Sequence, residues 1–172
     1  MELAKDMIQA AKGLGADVAK FQVYDPETLL NKEDYPDHWE SILASRLTRR
    51  QVLFLNQVCE REKIEFFSSV FDLERLMWTE EIKQKRYKIA SRSVSDGEVC
   101  EAIAKLGKPM VASDGFLRRE DLEPIDVSMI LSIMNDVNTK WLYCISEYPT
   151  PLAKLSFPDF TSGGRYPSWK NP

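Results

Sequence analysis

The sequence predicts an α/β fold, a partial (β/α) TIM-type barrel with about five parallel strands. Short apolar runs alternate along the chain with helical stripes, a pattern typical of repeated βαβ units in a parallel sheet. Hydroxyl or charged residues follow each apolar run at the point where its strand ends. Because ligands bind at the carboxyl ends of such strands, we expect one shared site there.

The first half of the chain contains three predicted strands. A strand at 18–22 follows a helical stripe formed by Leu3, Met7, Ile8, Ala11 and Leu14. Residues 23–47 have weak periodicity and predict a long loop at a strand end, where functional loops are common. Thr48 and Gln51 form a capping box that opens the next helix. The elements that follow are a strand at 64–68, a helix at 73–83 and a strand at 87–90.

The second half contains two more strands, at 109–112 and 141–144. A second capping box at 95–98 opens a helix that ends at Gly107, with Pro109 just beyond. A further helix is predicted at 122–134. We therefore expect a partial barrel over 1–151 and an irregular tail rich in Pro, Gly and aromatic residues over 152–172. A complete barrel has about eight strands in roughly 250 residues, so this chain is short for a closed one.

Composition excludes several classes of protein. The net charge of -4 and the absence of a basic stripe argue against nucleic-acid binding. The apolar runs are too short to span a bilayer, so we expect no membrane segment. The three cysteines form no CxxC pair, which favours a reducing, cytoplasmic location.

Lysine and serine residues at the predicted strand ends indicate an anion site, such as one for phosphate. Each has a second interpretation. Lys20 could extend its amine past a buried stem, and Lys88 could be a solvated strand-end residue or a Schiff-base lysine. Ser91 and Ser113 could be helix caps, although a cap and a phosphate ligand are compatible. The only histidine, His38, is expected to be a surface residue of the long loop.

Five segments occur in a fixed order with compatible spacing. Residues 87–91 read YKIAS and residues 144–151 read CISEYPTP; the others are 16–22, 66–72 and 107–115. Together they resemble the "YKIASG", "CTSEYPTP", "GADAVKFQ", "FLSTPFD" and "GKPVILSTG" segments of the sialic acid (N-acetylneuraminate) synthase family of barrel enzymes. The resemblance runs from about residue 3 to 151.

The resemblance implies a reaction and a set of site residues. These enzymes condense phosphoenolpyruvate with N-acetylmannosamine or a related amino sugar to a nonulosonic acid, a step in carbohydrate biosynthesis. A divalent metal, manganese or magnesium, polarises the sugar aldehyde. Gln22 and Tyr148 match positions that face the sugar. The positions that match phosphoenolpyruvate-binding residues are Lys20, Ser69, Lys88, Ser91, Ser113 and Ser146.

The chain also departs from the family pattern. The family's metal histidines, one of them in an "SDHT" segment, have no match here, and His38 lies in a different segment. Ser93 stands where relatives have Glu or Asp, and Asp114 replaces the Thr of "LSTG". The carboxylates that could substitute for the missing one are Asp96, Asp114 and Glu147. The family's first strand and its C-terminal antifreeze-like domain also find no match. We therefore expect a metal from the resemblance, find no ligands for it in this sequence, and assign no catalytic residue.

Two functional hypotheses follow. The chain is either a sialic acid synthase-like enzyme or a catalytically inactive, truncated relative that keeps a phosphoenolpyruvate pocket and serves in binding or assembly. The expected ligands are phosphoenolpyruvate and an amino sugar. A partial barrel exposes the edges of its sheet, so we also expect a homo-oligomer or a partner that supplies the missing barrel half.

Overall fold

The computed structural model describes residues 1–115 and 139–155. The chain divides into two compact units, Met1–Lys88 and Ile89–Pro172. Its five strands form one parallel sheet in the order β1-β2-β3-β4-β5, which is also their order along the chain. The predicted alternation of strands and helices around a parallel sheet is therefore confirmed. The expected boundary at residue 151 stays a prediction, because residues 156–172 lie outside the described part.

The first unit contains two complete βα repeats and the start of β3. Its elements are α1 (Glu2–Gly13), β1 (Val18–Val23), α2 (Pro26–Leu29), α3 (Pro36–Ser45), α4 (Arg49–Glu62), β2 (Glu65–Val70), α5 (Leu73–Glu81) and β3 (Tyr87–Ile89). Helix α4 buries one face against the sheet, and β2 is buried along nearly its whole length. Buried apolar side chains of these elements form the core of the unit: Val23, Val52, Leu55, Val58, Phe66 and Val70.

The second unit begins with a short 3₁₀ helix, Ser91–Ser95, followed by α6 (Gly97–Lys105), β4 (Met110–Ser113) and β5 (Thr139–Leu142). A second 3₁₀ turn covers Leu152–Lys154. Strands β4 and β5 lie close to their predicted positions, and β5 begins and ends two residues earlier than predicted. The helix predicted at 122–134 lies outside the described residues.

The segment 23–47, predicted as a loop, contains two helices. Asp25 caps α2 by accepting a hydrogen bond from the Glu27 N–H at 2.9 Å, and Pro26 occupies the first helical position. Pro36 likewise occupies the first position of α3, which has no side-chain cap. Helix α3 buries none of its residues, so it has no strong apolar stripe for a periodicity argument to detect.

The two predicted capping boxes had different outcomes. The box at Thr48 is confirmed: the Gln51 N–H donates to Thr48 Oγ1 at 3.3 Å, and the Thr48 N–H donates to Gln51 Oε1 at 2.8 Å. The second box, predicted at 95–98, is wrong: α6 has a single side-chain cap, and Val99 has no side-chain acceptor that could complete a box. Asp96, rather than Ser95, caps α6 by accepting from the Val99 N–H at 3.1 Å. The carboxylate is the stronger acceptor of the two neighbouring side chains.

Helix α1 buries only part of the stripe that predicted it. Leu3, Met7 and Leu14 are 73%, 64% and 90% exposed, and Ile8 is the buried residue of the helix. The helix packs against α4, where Gln9 donates to Glu62 Oε1 at 2.8 Å. An apolar stripe on α1 is therefore left facing outward. In residues 1–115 and 139–155, no helix is long and apolar enough to cross a membrane.

Candidate functional site

Three of the predicted site residues lie at one level of the sheet. Gln22 on β1 pairs with Ser69 on β2, and Ser69 pairs in turn with Lys88 on β3. Side chains paired at one level point to the same face of a sheet. Because neighbouring strands lie about 4.8 Å apart, the three Cα atoms span roughly 10 Å. We call Gln22, Ser69 and Lys88 the cross-strand row; its width suits a small molecule.

Lys20 lies on the same face as this row. It is two residues before Gln22 on β1 and pairs with Phe67 on β2. Ser69 and Lys88 are 1% and 8% exposed, whereas Lys20 and Gln22 are exposed. The interpretation of Lys88 as a solvated strand-end residue is therefore wrong. The exposure of Lys20 fits both of its interpretations.

The opposite face of β2 and β3 holds the row in register. Ser68 donates to Gln84 Oε1 at 2.6 Å, and the Tyr87 hydroxyl lies 3.0 Å from Thr79 Oγ1 on α5. Burial raises the pKa of Tyr87 above its ordinary range, so this hydroxyl stays neutral. Since successive side chains of a strand alternate in direction, anchoring Tyr87 to α5 directs Lys88 to the other face.

In the second unit, the residues after β4 contact the residues after β5. Ser113, the last residue of β4, is 6% exposed and pairs with Leu142. Gly115 lies against the turn after β5, because a Cβ added there would be 2.7 Å from Ser146 Oγ. The structure thus brings the segments that carry Ser113 and Ser146 together. Their assignment to phosphoenolpyruvate stays a prediction, as it does for the other site residues.

Ser91 and Tyr148 have weaker structural support. The 3₁₀ helix Ser91–Ser95 has Ala90 at its N-cap and no side-chain cap, so the interpretation of Ser91 as a cap is wrong. Ser91 itself is half-buried. The side chain of Tyr148 is 100% exposed, and its peptide bond to Pro149 is cis. Residues 116–138 lie outside the described part of the chain, so the capping role of Ser113 stays a prediction.

The described residues do not fit the divalent metal that the resemblance implies. In residues 1–115 and 139–155, no group of three or more His, Cys, Asp or Glu side chains could hold a metal ion. His38 is exposed on α3, with its ring beside Tyr35. Burial raises the pKa of Cys59 to about 11 and that of Cys100 to about 12, so both thiols are protonated at neutral pH and are poor nucleophiles.

Sequence reasoning missed two structural roles near the strand ends. Asp114 was recognised as a departure from a family pattern and as a candidate replacement for the lost carboxylate, whereas its side chain accepts a hydrogen bond from the Cys144 N–H at 2.9 Å. Arg75 was not singled out, yet it joins the residues that follow β1 and β2 through a 2.6 Å ion pair with Asp25. Both partners are distant in sequence, so no local pattern indicates them.

Comparisons with known proteins match most of this chain. The Helicobacter pylori pseudaminic acid synthase is 28% identical over 169 residues, which cover 88% of this chain and 48% of that protein. The human N-acetylneuraminate-9-phosphate synthase is 28% identical over 163 residues, covering 87% of this chain and 44% of that enzyme. The chain thus spans about half the length of the curated relatives it matches.

A solved structure has the same fold. The N-acetylneuraminic acid (sialic acid) synthetase of Leptospira borgpetersenii, in complex with citrate, aligns with a TM-score of 0.77 and 25% identity. The alignment covers 88% of this chain and 52% of that one. The predicted TIM-barrel-like fold class is therefore confirmed. The model of the NeuB family matches residues 7–161, which is most of the chain, and the chain belongs to the NeuB family.

Proposed function

We propose that this chain binds phosphoenolpyruvate and takes part in its condensation with an amino sugar to form a nonulosonic acid. Its relatives include pseudaminic acid, legionaminic acid and N-acetylneuraminate-9-phosphate synthases, which support a nonulosonic acid synthase-like role. The observation that carries the proposal is the cross-strand row of Gln22, Ser69 and Lys88. A cytoplasmic location is part of the same proposal.

The chemistry of the row suits phosphoenolpyruvate. The ligand carries a phosphate and a carboxylate on a three-carbon frame, so it needs a cation and several hydroxyl donors within a few ångströms. Lys88 supplies a charge at a position shielded from water, and Ser69 lies beside it on the next strand. An interaction between opposite charges is stronger where water is excluded. Ser91, Ser113 and Ser146 are proposed as further hydroxyl donors to the same ligand.

Gln22 and Tyr148 are proposed to face the sugar. The Gln22 side chain is an exposed neighbour of Ser69, at the outer end of the cross-strand row. Its amide can both donate to and accept from sugar hydroxyls, and it adds no charge. The exposed Tyr148 ring offers an apolar surface and one hydroxyl. Condensation then requires the enol carbon of phosphoenolpyruvate to face the sugar aldehyde, which these residues would orient.

One observation favours the second candidate function, a binding module without catalysis. Ser93, at the family's carboxylate position, is 6% exposed within the 3₁₀ helix. Its carbonyl accepts from the Asp96 N–H at 3.1 Å and from Cys100 Sγ at 3.2 Å. A serine hydroxyl cannot accept a proton at neutral pH as a carboxylate does. Binding without turnover is therefore the alternative to be tested beside catalysis.

Calorimetric titration of the full chain with phosphoenolpyruvate, with and without Mn²⁺, tests the proposal. We expect saturable binding of one phosphoenolpyruvate per chain. Inorganic phosphate should bind more weakly, because it lacks the carboxylate. Binding that is independent of Mn²⁺, together with no condensation of N-acetylmannosamine, would favour the binding module. Binding that Mn²⁺ strengthens would favour the synthase. Absence of binding in both series would contradict the proposed function.

We also propose that the chain self-associates through β1 and α1. Among the described strands β1 is an edge of the sheet, and Leu3 and Met7 of α1 are exposed on the same unit. An edge strand and exposed apolar side chains on one unit both favour pairing with a second copy. We expect light scattering to give a dimer or larger species, and Met7→Glu to shift it toward monomer. A monomeric wild type would contradict self-association and favour a partner that supplies the missing barrel half.

A further inference from the structure

Asp114 is a buried carboxylate that joins the ends of β4 and β5. Its side chain is 1% exposed and accepts a hydrogen bond from the Cys144 N–H at 2.9 Å. Its own N–H donates to the Leu142 carbonyl at 3.1 Å, which extends the pairing of the two strands by one residue. A charged acceptor for a main-chain N–H makes a stronger hydrogen bond than a neutral one. Asp114 therefore fixes the direction in which the chain leaves β5.

Gly115 completes this contact through its lack of a side chain. A Cβ at this position would lie 2.7 Å from Ser146 Oγ, 3.0 Å from Cys144 Cβ and 3.1 Å from the Cys144 carbonyl oxygen. These distances are shorter than ordinary van der Waals contacts, so any other residue here would displace Ser146 Oγ and shift Cys144 by a few tenths of an ångström. The turn is thus held from one side by Asp114 and approached closely by the backbone of Gly115.

We infer that Asp114 is a positioning residue, which together with Gly115 holds the Ser146 hydroxyl at the carboxyl end of β4. The inference rests on the proposed function, because Ser113 and Ser146 are proposed ligands of phosphoenolpyruvate. The Asp114 carboxylate is directed at the main chain after β5, where Oδ1 accepts from the Cys144 N–H. Asp114 therefore acts through Ser146 and does not replace the carboxylate that Ser93 lacks.

The test compares Asp114→Asn with Asp114→Leu. Asparagine keeps an oxygen that can accept from the Cys144 N–H but loses the charge and the ability to carry a proton, whereas leucine loses all three. In titrations with phosphoenolpyruvate we expect the dissociation constant to rise less than about threefold for Asn and at least about tenfold for Leu. We expect Ser146→Ala to match the Leu variant. The double variant should be no weaker than either single one, because the two changes remove the same contact.

Two outcomes would overturn the inference. If Asn weakens binding as much as Leu, the charge or proton of Asp114 is what matters, and the residue acts on the ligand directly. If the Leu and Ser146→Ala effects add in full, Asp114 does not act through Ser146. Because Asp114→Leu alters a buried site, Gly115→Ala is the second variant. It leaves Asp114 in place, pushes Ser146 away and is expected to weaken binding at least about tenfold as well.

Hydrogen exchange at the Cys144 amide tests the same contact without any ligand. We expect protection in the wild type and in Asp114→Asn, and fast exchange in Asp114→Leu. A wild type that protects this amide but fails to bind phosphoenolpyruvate would contradict the proposed function and leave the positioning role intact. A wild type whose Cys144 amide exchanges freely would overturn the positioning role itself.

Discussion

Replacing Lys88 with methionine is expected to weaken the binding of phosphoenolpyruvate at least about 100-fold, which corresponds to roughly 2.7 kcal/mol. Lys88 is 8% exposed and lies beside Ser69 in the cross-strand row. Methionine has a similar length and keeps the packing of the stem, but it removes the charge. Because bulk water reaches this position poorly, water cannot replace the charge-assisted hydrogen bond that Lys88 would donate to a phosphate or carboxylate.

The same change is expected to leave the chain folded. Methionine keeps the length and the apolar contacts of the buried lysine stem. Urea denaturation of the variant checks this point. Lys85→Met is the matched control, because Lys85 is exposed and lies two residues before β3. We expect it to change neither binding nor stability.

Unchanged binding by the Lys88→Met variant would remove Lys88 from the site. The Schiff-base interpretation of Lys88 has its own test. Borohydride reduction in the presence of pyruvate would trap a covalent adduct on the wild type and none on the variant, if this lysine forms an imine. We expect no adduct with pyruvate, because the proposed role of Lys88 is to pair as an ammonium with a phosphate or carboxylate, and an ammonium does not form an imine. An adduct at Lys88 would contradict the proposed role as a phosphate or carboxylate partner.

Features set by local residue patterns were predicted well. The alternation of strands and helices, the Thr48 capping box and the left-handed glycine at 107 all depend on residues within a few positions of one another. The pairing of Gln22, Ser69 and Lys88 at one level of the sheet also follows from their positions within the three strands, once the strands are known to be parallel.

The errors arose where contacts distant in sequence decide the structure. The stripe on α1 indicates a helix, but which of its apolar residues become buried depends on how α4 packs against it. Helix α3 is attached to the unit by the Tyr24 hydroxyl, which lies 3.0 Å from both the Ile42 carbonyl and Ser45 Oγ. Such a contact has no period along the sequence. The same limit hid the contact between Asp114 and Cys144.

Replacing Arg75 with alanine is expected to lower the free energy of unfolding by about 2–4 kcal/mol. Arg75 Nη2 lies 2.6 Å from Asp25 Oδ2, and Nη1 lies 2.8 Å from Glu74 Oε2 and 3.5 Å from Asp72 Oδ1. The guanidinium is 4.7 Å from the centre of the Trp78 ring, and the side chain is 14% exposed. Its removal leaves three carboxylates close together without their shared cation.

The loss of stability should be concentrated in the segments that follow β1 and β2. Asp25 caps α2 and Asp72 caps α5, so each carboxylate has a helix N-terminus on one side and Arg75 on the other. In the described residues, Asp72 Oδ2 is buried without a hydrogen-bond partner, so it depends on the nearby guanidinium to offset its charge. We therefore expect faster amide exchange in α2 and in the first turn of α5, measured on the Arg75→Ala variant, and unchanged exchange in α6.

Arg49→Ala is the matched control. Arg49 forms a forked pair with Glu81, with Nε and Nη2 at 2.6–3.0 Å from the carboxylate oxygens, but the two side chains are 56% and 39% exposed. Exposed pairs contribute little to stability because water and salt screen them. We expect urea denaturation to show a much smaller shift for Arg49→Ala, which disappears in high salt, whereas the shift for Arg75→Ala persists. Equal shifts for the two variants would show that burial does not set the strength of the Arg75 contacts.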